Sequence, residues 1–85
     1  MIAGPGAFAT NYATPIVTMA KGSSATFANA DPISHDVIAD DGSFRSELIS
    51  VGSTPIVGVE ALEAGEYGFY CSLHRNMTGT LVVTG

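Results

Sequence analysis

Apolar and polar residues alternate along this chain in short stretches of a few positions each, the period of half-buried β-strands. Val17 and Met19 flank Thr18, Ala25 and Phe27 flank Thr26, and Leu81 and Val83 alternate with Thr80 and Val82. Tyr67, Phe69 and Cys71 share one face, with Gly68 and Tyr70 opposite. The pattern predicts strands near Ala7–Asn11, Ile16–Met19, Ser24–Asn29, Asp36–Ala39, Thr54–Val59, Gly65–Cys71 and Thr78–Thr84. Turn residues fill the gaps at Lys21-Gly22-Ser23, Asn29-Ala30-Asp31-Pro32, Asp40-Asp41-Gly42-Ser43 and Glu63-Ala64-Gly65-Glu66. Phe44–Ser50 fits a helical turn, a strand or an irregular loop equally well, and no segment keeps helical periodicity over three turns. About seven or eight short strands at this spacing predict an all-β fold, an antiparallel β-sandwich or small barrel.

Length narrows this to one compact domain, 1–85, with a modest core that a bound metal would help to stabilise. Apolar residues make up 46% of the chain and charged ones 13%, which excludes intrinsic disorder. No apolar run approaches the roughly 20 residues that span a bilayer. The formal charge is −5, and only Lys21, Arg45 and Arg75 are positive. Nucleic-acid binding, which needs clustered cations, is therefore not expected. Cys71 is the single cysteine, so no internal disulfide forms and the redox compartment is not readable from it. The start, Met1-Ile2-Ala3-Gly4-Pro5-Gly6, has no positive region leading into an apolar core, so no signal peptide is expected. That fits a cytoplasmic protein, a mature exported one or an excised domain with an added Met1.

Chemistry concentrates in Tyr70-Cys71-Ser72-Leu73-His74-Arg75-Asn76-Met77-Thr78-Gly79-Thr80. A thiol, an imidazole and a thioether stand three residues apart between two predicted strands. Thiolate and thioether suit Cu(I), and imidazole suits both copper oxidation states. A type 1 copper site takes two His and one Cys in a plane with a weak axial Met. His35, which opens a predicted strand, is the only other histidine and completes the set His35, Cys71, His74 and Met77. Given one Cys, His at +3 and Met at +6 coincide by chance about once in a thousand. Individually these residues have blander readings: a buried small hydrophobe for Cys71, a satisfied or surface histidine for His35, core packing for Met77. The combination outweighs them.

Other chemistries fit less well. Structural zinc takes four Cys, His or carboxylate ligands, and Met is not among them. A Cys–His nucleophilic pair is conceivable, but so short a chain offers no obvious substrate cleft. A trinuclear copper cluster needs more histidines than two.

The pattern resembles the cupredoxins, the blue-copper family of plastocyanin, amicyanin and pseudoazurin. The likeness runs from Pro15–Met19 through Gly22–Asn29 and Asp31-Pro32…His35-Asp36-Val37 to Gly65-Glu66-Tyr67…Tyr70-Cys71-Ser72-Leu73-His74 and Met77-Thr78-Gly79-Thr80-Leu81-Val82-Val83. The two residues between His74 and Met77 make a short ligand loop most similar to that of amicyanin. The resemblance implies a Greek-key β-sandwich with one copper ion at one end. His35 would come from one strand, and Cys71, His74 and Met77 from the loop joining the last two. Cupredoxins usually carry Asn after the first His ligand; here Asp36 stands there, able to accept hydrogen bonds from Ser72 but bringing negative charge that favours Cu(II). Arg75 stands where amicyanin-like proteins often have Pro; its charge would oppose that effect, bias docking or simply be solvated.

The resemblance further implies an electron carrier rather than an enzyme, exported or periplasmic and monomeric, that meets redox partner proteins. His74 would be the electron port in an apolar patch with Leu73, Pro5 and Phe8. Two rivals stay open: an electron-donor domain of a larger copper enzyme, such as a nitrite reductase or oxidase, and a copper storage or delivery protein.

Overall fold

The computed structural model describes residues 1–3, 12, 14–74 and 76–85. Among them the chain forms β1 (Ile2–Ala3), β2 (Ile16–Ala20), β3 (Thr26–Asn29), β4 (Ile38–Ala39), β5 (Arg45–Ser46), β6 (Gly52–Val57), a 3₁₀ turn (Val59–Ala61), β7 (Gly65–Tyr70) and β8 (Thr78–Thr84). The strands hydrogen-bond in the order β1-β3-β6-β5-β4-β7-β8-β2. β6 is the corner: Gly52 to Pro55 pair with β3, while Ile56 and Val57 pair with β5. The ribbon therefore curls, and one face of β3 and β6 turns towards one face of β7 and β8.

Burial follows the predicted alternation. Phe27, Ile56, Phe69, Leu81 and Val83 point into one core with Tyr12, Phe44, Cys71 and Met77. Tyr12 joins the two halves of the curl, packing edge-on against Phe27 at 6.2 Å and Phe69 at 5.1 Å between ring centroids. Such edge-to-face pairs contribute about 0.5–1.5 kcal/mol beyond the area they bury. The Tyr12 hydroxyl donates to the Asp36 carbonyl at 2.6 Å. Burial first, and the negative potentials of Cys71 and Asp36 next, push that hydroxyl far above its usual range, so it stays a donor.

The all-β class and the Greek-key sandwich stand, with adjustments to individual strands. The pairings between β3 and β8 in the ladder order are antiparallel as expected, whereas β1–β3 and β2–β8 are parallel. The predicted Thr54–Val59 strand begins two residues earlier and stops at Val57. Gly58, at φ 102°, breaks it, and a side chain there would strike the Ser43 carbonyl. Of Asp36–Ala39 only Ile38–Ala39 enters the ladder, and the ambiguous Phe44–Ser50 segment yields β5. The predicted Ala7–Asn11 strand lies outside the described residues. No helix among the described residues is long and apolar enough to cross a membrane.

Candidate metal centre

His35 is positioned by the segment that follows β3. The Asn29 side-chain oxygen accepts the Asp31 N–H at 2.9 Å, an Asx turn that starts the bend. The Asn29 amide nitrogen in turn donates to the carbonyls of Ile33 (3.0 Å) and Ile49 (2.9 Å), pinning both sides of the crossing. His35 and Ile49 then exchange both backbone hydrogen bonds at 3.0 Å in a single antiparallel bridge. With its backbone held twice, His35 places its ring inside at 0% exposure. Nε2 meets Asp31 Oδ2 at 2.7 Å, and Nδ1 faces Cys71 Sγ at 3.7 Å.

Cys71, His74 and Met77 occupy the connection from β7 to β8. The ladder runs to the Tyr70–Thr78 pair, so the loop is clamped at its base. Inside it the Met77 N–H donates to the His74 carbonyl at 2.9 Å, and the Cys71 N–H donates to the Met77 carbonyl at 3.1 Å. Cys71 and Met77 are wholly buried, and His74 is half-buried. The His74 ring lies 5.0 Å from that of His35, tilted by 59°. Leu73 beside it is 57% exposed.

Asp36 ties the two halves together. One carboxylate oxygen accepts the Ser72 N–H at 2.7 Å and the other the Ser72 hydroxyl at 2.6 Å. The acceptor role expected from the sequence is the one observed, with both oxygens engaged and the residue 5% exposed.

Of the four expected ligand residues, His35 touches Cys71 and lies beside His74, and Met77 is tied to Cys71 and His74 through its backbone. Among the described residues, no three His, Cys, Asp or Glu side chains already stand closed around a point a metal would fill. The thiol–imidazole contact of Cys71 and His35 is in place, and the His74 ring, with its Nε2 atom buried, lies beside that of His35. Arg75 and the apolar-patch candidates Pro5 and Phe8 lie outside the described residues. Two residues that the sequence pattern did not single out also belong here. Asp31 entered the sequence reading as a turn residue and within the Asp31-Pro32…His35 segment, with no role assigned to its carboxylate. Tyr12, adjacent to the predicted first strand, carries no local signal for its bond to Asp36.

A Greek-key β-sandwich with a buried thiol beside an imidazole, and a second imidazole and a thioether in the following loop, is the architecture of a cupredoxin. A family model described as a cupredoxin-like domain matches residues 9–83, and the chain belongs to that family. Amicyanin of Paracoccus versutus is 29% identical over 77 residues, covering 85% of this chain and 57% of that protein. The chain thus spans little more than half the length of that curated relative. A purple cupredoxin from Nitrosopumilus maritimus superimposes with a TM-score of 0.82 at 25% identity, over 98% of this chain and 96% of the other. A reduced Cu(I) form of an amicyanin mutant superimposes with a TM-score of 0.76 at 21% identity, over 99% and 81% of the two chains, a likeness of fold. Family membership implies a copper cofactor, and the donors fit one: thiolate and thioether for Cu(I), imidazoles for both states.

Proposed function

We propose that this chain is a type 1 copper electron carrier that holds one copper ion through His35, Cys71, His74 and Met77. The observation that carries the reading is the 3.7 Å approach of Cys71 Sγ to His35 Nδ1, two wholly buried side chains brought together from 36 residues apart. Copper, when bound, supplies the one-electron Cu(I)/Cu(II) couple.

The chain's own residues make that couple fast and contained. The Ile49 bridge and Asp31 fix the His35 ring, and the loop's two backbone hydrogen bonds fix Cys71 and Met77. Ligands held this firmly rearrange little between oxidation states. Cys71 acts as thiolate, the form that ligates. His74, half-buried beside exposed Leu73, offers the entry point for electrons. Four protein donors leave no open position for substrate, so the site carries electrons and catalyses nothing. The partners are redox proteins, one donor and one acceptor, and the chain works as a single exported domain and a monomer.

Voltammetry of the copper-loaded protein tests this reading against storage or delivery. A reversible one-electron wave that survives repeated cycling is expected. Loss of copper on reduction, with a decaying wave, contradicts the carrier role.

A further inference from the structure

We infer that Asp31 is a positioning and tuning residue of the metal centre, a buried carboxylate that acts through His35. The inference rests on the copper reading above, but its geometry does not. Asp31 is 1% exposed, and its carboxylate lies 2.7 Å from His35 Nε2, deep inside the protein. A carboxylate accepts and does not donate, so the shared proton sits on Nε2. In the neutral ring, the form that ligates a metal, that assignment leaves the Nδ1 lone pair aimed at Cys71 Sγ, the side on which a metal would be shared. Asp31 therefore selects the ligating tautomer before any metal arrives.

The same contact supplies charge. An imidazole that donates to a carboxylate is a stronger donor to a metal, as in carboxylate–histidine–zinc triads. A fixed negative charge near the site favours the more positive oxidation state, Cu(II) over Cu(I). Asp36 contributes a second carboxylate, but each of its oxygens accepts a hydrogen bond from Ser72. Asp31 is the carboxylate bonded to the ligand itself.

Asp31 is also held independently of His35. Its N–H is bonded to Asn29, and its Oδ1 accepts the Ile33 N–H at 3.4 Å. The carboxylate is thus presented by the turn rather than recruited by the ring. A merely structural role predicts that neutralising Asp31 alters stability and leaves the couple alone.

The two roles separate in Asp31→Asn, which removes charge with little change of shape, and Asp31→Ala, which removes the partner. Both are expected to lower the preference for Cu(II) over Cu(I) by roughly tenfold, the size of outer-shell effects on metal sites. For a one-electron couple that is a potential about 59 mV higher. Unchanged potentials in both variants, with the visible band intact, overturn the inference alone. Absence of any copper band in the unsubstituted chain overturns the site reading and this role together. Nitrogen-15 NMR of the full metal-free chain needs neither variant. A His35 Nε2 proton, far downfield and slow to exchange with water, is expected; the proton on Nδ1 overturns the tautomer argument.

Discussion

Met77 has no exposed surface, and its backbone closes the ligand loop on both sides, towards Cys71 and towards His74. Its side chain therefore has two separable duties, filling the core and offering a thioether. Met77→Leu keeps the volume, so the expected cost in stability is below about 1.5 kcal/mol. On the proposed site the same substitution would delete a weak donor to Cu(II), so voltammetry should find a higher potential while the visible band persists. A lower or unchanged potential rejects Met77 as a copper donor. His35, Cys71, His74 and Met77 stood out in the sequence as candidate donors because a thiol, an imidazole and a thioether spaced by three are a specific pattern and the chain has only one other histidine. Asp31 did not, because Asp before Pro reads as a turn wherever its carboxylate points. The turn is real, and the side chain bends inward from it. Tyr12 escaped for a related reason: its hydroxyl reaches Asp36 across 24 residues.

Strand β8 shows how an element sets the ligand loop. Thr78 to Val83 pair with Tyr70 back to Gly65, so the ladder fixes where the loop starts and ends. Gly79 sits in that ladder opposite Phe69, and a Cβ there would meet the Phe69 ring and come within 2.6 Å of the Pro15 carbonyl. Phe69 is locked against Tyr12 and has nowhere to retreat. Gly79→Ala should therefore destabilise by about 1–3 kcal/mol, the usual cost of overpacking. In a chain of this size that lowers the melting temperature by about 4–8 °C per kcal/mol. Calorimetry giving an unchanged melting temperature contradicts the tight packing under the loop. Alternation revealed β8, β7 and β2 because each is long enough to repeat. β5 has two residues and no period of its own; its pairing with Ile38, Ile56 and Val57 creates it. The start of β6 is likewise made by its partner, since Gly52 and Ser53 are exposed and pair with Asn29 and Ala28.

At the scale of the whole molecule, the curl of the sheet brings distant parts of the sequence to one end. The parallel pairings of β1 with β3 and β2 with β8 were invisible to pattern reasoning, because strand periodicity is the same in either direction. His35 enters from the β3–β4 connection and Cys71 from the β7–β8 loop, so a shared metal would cross-link the two halves. A ligand bound only by the folded state stabilises it by mass action, about 4 kcal/mol at a thousandfold excess over its dissociation constant. Copper loading should thus raise the melting temperature clearly, and equal melting of loaded and metal-free protein contradicts a site built into the native fold. The most direct measurement is a visible absorption titration with Cu(II), run beside Cys71→Ser. One equivalent should produce an intense thiolate-to-copper band that the serine variant lacks. A chain that stays colourless in excess Cu(II), or a band that survives loss of the thiol, contradicts the account.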